Sequence, residues 1–259
     1  EVPDYGSVFL KGDVSTMDLN TQMEEADIVY YLAGSVGVEH IDKNPSSTLF
    51  NNISIMSKLI PLFEKHQKKV IFSSTSEVYG EGPTFKESDP LSIGSPDKLR
   101  WGYACAKLMT EFMIKASTFP SVIIRFFNVV GPGQSGEYGM VLPRFISAVN
   151  TDKSIVVYGD GKQVRSFCHV KDAVVALRLL EGEEGTYNVG NDSPTTIVDL
   201  AISVIQTAKV KCRVEFRKYE QDFSDQHGDI MNRVPDISKL RKLGYEPQYN
   251  LMDIIKDML

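Results

Sequence analysis

Three short apolar runs constrain this chain more than any other feature: ADIVYYL at 26–32, VIF at 70–72 and VIIRFF at 122–127. They are largely apolar at consecutive rather than alternate positions and rich in β-branched and aromatic residues, so they read as strands buried on both faces. Amphipathic stretches separate them. Ser46 to His66 carries Leu49, Ile53, Met56, Ile60 and Phe63 at helical spacing, with Ser46 as an N-cap and Pro61 as a candidate kink. A second helix follows the VIF strand and ends near Thr118. Strands alternating with helices imply βαβ crossovers, hence a parallel sheet with helices on both faces. The expected fold class is therefore α/β, a doubly wound, Rossmann-like sheet. A further short strand is expected ahead of these, at Ser7–Lys11 (SVFLK).

The texture changes after Asn128. NVVGPGQSGEYGM is a glycine-rich loop, and a helix is expected from Val141 to Asn150. IVVYG and VRSFCHV flank Gly159-Asp160-Gly161, a hairpin signal. A helix at Lys171–Leu180, strand TYNVG, helix Ile197–Ala208, strand CRVEFRK and two short helices around 237–243 and 251–258 complete the pattern. The chain thus divides into a main domain, 1–130, and a smaller C-terminal α/β lobe, 131–259, with some of its strands and helices returning to the main domain.

Composition removes several function classes. The 259 residues carry a net charge of −6, and the 28 basic residues form no block, so nucleic acid and anionic membrane surfaces are poor partners. No apolar run approaches the roughly 20 residues that a membrane span needs. Cys105, Cys168 and Cys212 are odd in number and lack CxxC spacing, which fits a reducing cytoplasm. His40, His66, His169 and His227 are scattered, so no metal site is expected.

The chemistry concentrates between Ser73 and Lys107. The VIF strand breaks into Ser73, Ser74, Thr75, Ser76 and Glu77, and in a parallel sheet ligands bind beyond the carboxyl ends of strands. Helical spacing places Tyr103 and Lys107 on one face, one turn apart. A nearby ammonium favours the phenolate and would lower the pKa of a tyrosine acting as a base. SSTSEVYG followed by RWGYACAK resembles the extended short-chain dehydrogenase/reductase family that modifies nucleotide sugars: epimerases, dehydratases and UDP-glucuronate decarboxylases.

That resemblance implies NAD as cofactor, a nucleotide-sugar substrate, most simply a UDP-sugar, and transient oxidation at the sugar C4. Tyr103 matches the base, Lys107 the residue that tunes it and holds the nicotinamide ribose, and Thr75 the hydroxyl sharing the substrate proton. Asp13, Val14, Leu32, Ala33, Gly34 and Asn52 match positions around the dinucleotide. Asn128, Arg165 and Arg233 match nucleotide-sugar ligands. Arg100 and Trp101 precede the base, with Trp101 a packed aromatic. Ser76 and Glu77 stand where simple 4-epimerases often carry small or apolar residues, and RWGYACAK is most similar to the decarboxylase branch. The expected activity is a decarboxylase or dehydratase reaction, such as that of UDP-glucuronate decarboxylase. A UDP-hexose 4-epimerase and a non-catalytic nucleotide-sugar-binding relative remain as alternatives. A homodimer formed through the Ser46 and Tyr103 helices is also implied.

One part of the family pattern is not met. Gly34 and Gly37 supply GxxG without a third glycine, and no strand, Gly-rich turn and helix opens the sheet. In the order 3-2-1-4-5-6 the first two strands lie centrally, so the native protein is expected to carry a strand-helix-strand segment ahead of Glu1. The acidic residue that selects NAD over NADP would lie there.

Overall fold

The apolar runs align side by side. In the computed structural model, which describes residues 7–34, 45–82, 84–99, 101–135, 140–151, 153–218 and 230–259, they form one four-stranded parallel sheet. Its strands are β1 (Ile28–Tyr31), β2 (Lys69–Thr75), β3 (Ser121–Phe126) and β8 (Gly185–Val189), in the order β1-β2-β3-β8. Register is continuous at the functional end: Thr75 lies beside Phe126, which lies beside Val189. Gly37, Arg100 and the 136–139 part of the glycine-rich loop lie outside the described residues.

Both sheet faces are covered, as buried parallel strands require. On one face lie α1 (Asn20–Glu25), α2 (Pro45–His66) and α3 (Trp101–Ala116), with Met56, Leu59, Phe63 and Ile114 packed on Val70, Phe72 and Ile123. On the other lie α5 (Val170–Leu179) and α7 (Ser238–Arg241), with Ala173, Ala176 and Leu240 on Ile71, Val122 and Val189. Each fully buried side chain of this kind contributes about 1.5–3 kcal/mol. A separate core joins α4 (Val141–Asn150), β5 (Ile155–Tyr158), α6 (Ile197–Ala208), β10 (Val214–Arg217) and α8 (Leu251–Met258). Short pairings complete the chain: β4 (Val129–Val130) with β7 (Cys168–His169), and β6 (Val164–Arg165) with both β9 (Thr195–Thr196) and β11 (Asn232–Arg233). No helix among the described residues is long and apolar enough to cross a membrane.

Four sequence expectations are corrected. Ser7–Lys11 is irregular, with Val8 88% and Phe9 67% exposed. An apolar run becomes a strand only where a neighbour supplies a ladder, and among the described residues β1 pairs only with β2. Gly159-Asp160-Gly161 makes a turn, with φ of +68° and +70° at its glycines, but not a hairpin. The start of α6 sits on that turn through Val198 N–H to Gly161 O (3.0 Å) and diverts β6 to β9, while β5 pairs with β10. Ser46 lies inside α2 rather than capping it, because Pro45 occupies a first-turn position where its missing N–H costs nothing. The helix around 237–243 shortens to Ser238–Arg241 and ends in a turn to Gly244 at φ +90°.

One buried ion pair ties a helix to the sheet. Glu111 on α3 receives Arg125 of β3 through Nε (3.1 Å) and Nη2 (2.7 Å), and Ser74 of β2 donates to the same carboxylate. Both charged side chains are 6% exposed. A Glu111→Gln substitution leaves the guanidinium buried without its counter-charge and is expected to cost about 3 kcal/mol. Urea unfolding monitored by Trp101 fluorescence measures it, and a loss well under 1 kcal/mol would mean that water reaches the pair.

Candidate active site

The site forms where β2 stops. Beyond Thr75 the backbone turns into a one-turn 3₁₀ helix, Ser76–Tyr79, and the Thr75 hydroxyl caps it by accepting from Glu77 N–H at 3.3 Å. Gly80 at φ +72° closes the turn; a Cβ there would stand 2.5 Å from Ser92 O. α3 then passes the strand end and presents Tyr103, Lys107 and Glu111 at successive i+4 positions, all buried. The Thr75 hydroxyl lies near enough to the Tyr103 phenol to pull its pKa down, against burial. Lys107 Nζ donates to Ser73 O at 2.8 Å and lies 5.0 Å from the Phe72 ring centroid.

Gly34 and Asn52 complete that corner. A Cβ on Gly34 would come within 3.0 Å of Asn52 Oδ1 and 3.2 Å of Lys107 Nζ, so a larger residue there would push one of these side chains by a few tenths of an ångström. Asn52, buried on α2, is oriented by donating to Thr48 O at 2.8 Å. Leu32 and Ala33, just before Gly34, are exposed.

The opposite wall is brought by the later strands. Arg165 and Arg233 are register partners in the β6–β11 pair. Arg233 Nη2 reaches Glu77 Oε1 at 3.4 Å, with both side chains 14% exposed, and among the described residues Arg233 Nε is buried without a hydrogen-bond partner. Asn128 follows β3 at φ +39°, a conformation that asparagine tolerates, and donates to Ser166 O at 2.8 Å beside Arg165. Thr75, Ser76, Glu77 and Tyr103 therefore gather with Arg233 and its strand partner Arg165 at the carboxyl end of β2, and Asn128 leaves β3 at the same sheet end, where a parallel sheet places its ligand cleft; Lys107, Gly34 and Asn52 adjoin them. Asp13 and Val14 stand apart. Asp13 accepts from Ser15 N–H in an exposed turn, which Lys58 of α2 holds through Ser15 O and Met17 O, and Val14 packs on the α2 core.

The electrostatics correct one expectation. Tyr103 is pushed above the ordinary tyrosine range, first by burial and then by the Glu77 carboxylate; the Thr75 hydroxyl and Arg233 work in the opposite direction. Lys107 is not what lowers it here, because its ammonium faces Ser73 O and the Gly34 corner rather than the phenol. Burial lowers Lys107 itself to about 8.

Two functional-end residues escaped the sequence reading, although each left a signal. Glu111 continues the Tyr103–Lys107 face by one more turn, and Arg125 is the single charge within VIIRFF. Asn188 of β8 escaped too, with only a position in an apolar strand to mark it.

The Lys107 shift yields a pH prediction. Its folded pKa lies below its unfolded value, so the folded state binds fewer protons between about pH 8 and 10.5 and gains stability as pH rises through that window. Relative to Lys107→Met, the native protein is expected to gain at most about 3 kcal/mol there, read from urea midpoints at several pH values. A flat difference would contradict the burial.

Comparison with known proteins places the chain. Residues 4–190 match the NAD dependent epimerase/dehydratase family. The UDP-N-acetyl-alpha-D-glucosaminuronate decarboxylase of Bacillus cytotoxicus is 33% identical over 89% of this chain and 75% of its own length. UDP-glucuronic acid decarboxylase 2 of Arabidopsis thaliana is 32% identical over 88% of this chain, which spans about half of that protein, 52%. Among solved structures, a UDP-N-acetylglucosamine 4-epimerase from Methanobrevibacter ruminantium superposes with a TM-score of 0.84 at 32% identity, covering 95% of this chain and 81% of that one. The parallel sheet, the cleft at its carboxyl end and these matches agree: the chain belongs to the NAD-dependent epimerase/dehydratase family and is an NAD-dependent enzyme of it.

Proposed function

We propose that the protein decarboxylates a UDP-linked uronate sugar through transient oxidation at C4. The observation that carries this reading is Arg233: a cation beside Glu77, at the same cleft as Tyr103 and Thr75, with a buried Nε donor lacking a partner among the described residues. A guanidinium so placed suits a carboxylate on the reacting sugar. The residues present also fit the dinucleotide, since a Cβ at Gly34 would crowd the corner formed by Asn52 and Lys107.

Each side chain then has a task. Tyr103 takes the C4 hydroxyl proton, and Thr75, beside it, holds that hydroxyl in line. NAD held at the Gly34–Asn52–Lys107 corner would supply the acceptance and return of hydride at C4 that keep the reaction redox-neutral overall. With C4 a ketone, the C5–C6 bond breaks, its electron pair moves to the C4 oxygen as an enolate, and CO2 leaves. A proton from water then reaches C5 on the side of Ser76 and Glu77, and Tyr103 returns its proton to the C4 oxygen. Arg165 and Asn128 bind the diphosphate, Asp13 and Val14 the adenine side, and Leu32, Ala33 and Gly34 the dinucleotide. Residues 1–130 form the cofactor-binding domain and 131–259 the sugar-nucleotide lobe, with β8, α5 and α7 returning to the main sheet. The likeness to a UDP-N-acetylglucosamine 4-epimerase supports a second reading, C4 epimerisation of a neutral UDP-sugar.

The test incubates full-length protein and NAD with UDP-glucuronate, UDP-N-acetylglucosaminuronate and UDP-N-acetylglucosamine, with products read by mass and NMR. Loss of CO2 supports the proposal. Unchanged mass with inverted C4 selects epimerisation, and loss of water selects dehydration. Tyr103→Phe is expected to lower kcat by about 10²-fold or more. Arg233→Ala is expected to raise KM for the uronate by about tenfold or more.

We also propose a cytoplasmic homodimer, whose product supplies polysaccharide synthesis. Phe50 on α2 and Met109 and Phe112 on α3 are 71%, 49% and 65% exposed on two neighbouring helices. Sedimentation velocity of Phe112→Glu is expected to show monomer where the native protein sediments as a dimer.

A further inference from the structure

We infer that Asn188, a residue outside the cleft, positions Arg233 against Glu77 by clamping the two chain segments that carry them; the inference rests on reading Arg233 as a substrate ligand. Asn188 is fully buried in β8. Its carboxamide has one acceptor group and two N–H donors, and all are engaged. Oδ1 accepts from the Tyr79 hydroxyl at 2.8 Å, and Nδ2 donates to Phe85 O at 2.9 Å and to Asp236 O at 3.1 Å. Its backbone N–H donates to Glu87 Oε1 at 2.8 Å.

The partners explain what the clamp does. Tyr79 closes the 3₁₀ turn on which Glu77 sits. Asp236 follows Arg233 by three residues, and the two backbones are laced together by Phe85 N–H to Val234 O and Asp236 N–H to Phe85 O, at 3.4 and 2.8 Å. One amide thus fixes the Glu77 turn, the Phe85 segment and the Arg233 strand to the central sheet. Beneath it, Arg125 lies 4.7 Å from the Tyr79 ring centroid and binds Glu111 of α3, so the same network reaches the helix of Tyr103 and Lys107. The cation of the cleft arrives on a two-residue strand from late in the chain, and this contact sets its distance from the rest. Aspartate cannot substitute, because it would lose both donors and face two carbonyl oxygens.

The test uses the full-length protein with Asn188→Ser, and Tyr79→Phe as a milder cut should the first fail to fold. In ligand-free protein, hydrogen exchange at residues 232–236 and 85–87 is expected to rise about tenfold or more, while 101–116 keeps its protection. Calorimetry then compares UDP-glucuronate binding in a cycle with Arg233→Lys. Asn188→Ser is expected to weaken binding about tenfold in the native background and under about twofold when Arg233 is already altered, with NAD affinity unchanged. Equal weakening in both backgrounds, unchanged exchange, or exchange raised throughout the protein would overturn the positioning role. If the native protein binds no UDP-sugar, the functional proposal falls, and the exchange result alone decides whether Asn188 holds the segment.

Discussion

The site depends on a buried charge pair that touches no part of the cleft. Glu111 and Arg125 join α3 to β3, and Ser74 adds β2 to the same carboxylate. Such a pair gives little net stability, because desolvation offsets most of its attraction, but it is costly to break or misalign. That asymmetry favours one seating of the helix on the sheet over shifted alternatives. Tyr103 and Lys107 lie two turns and one turn before Glu111, so a slip of α3 would carry both away from Thr75 and Ser73.

Given that seating, the rest of the cleft follows from where parallel strands end. Their carboxyl ends lie in register, so polar residues that terminate one strand face those that follow its neighbours. Thr75, Ser76 and Glu77 leave β2 through a capped turn, and Asn128 leaves β3 through a left-handed residue. The later chain returns Arg165 and Arg233 as side-by-side strand partners. Two arginines thus stand on adjacent short strands, with the Glu77 carboxylate beside one of them.

Burial tunes the two ionisable groups of α3 in ways that favour their neutral forms: it raises the phenol and lowers the ammonium. Glu77 adds to the first effect, and Arg233 with the Thr75 hydroxyl offsets part of it. A phenol kept protonated until a ligand changes this balance is a proton store rather than a standing base. A cation bound beside the phenol would shift this balance back toward the phenolate.

The sequence by itself determined the layers and half of the cleft. The largely apolar runs at 70–72 and 122–127, rich in β-branched and aromatic residues, favour a sheet covered on both faces, and the spacing of Tyr103 and Lys107 survives in any helix. These are local properties, legible because one residue's neighbours fix them. Tertiary structure decided the remainder. Ser7–Lys11 has the composition of a strand but no partner among the described residues, and the Gly159–Gly161 turn was redirected by the start of α6. Arg233 meets Glu77 across most of the chain, Arg125 finds its counter-charge on another element, and Asn188 looks like one more strand residue until three segments converge on its amide. Local sequence sets which groups are offered; only long-range packing sets which of them meet, because most buried polar groups persist only where the whole fold brings them a partner.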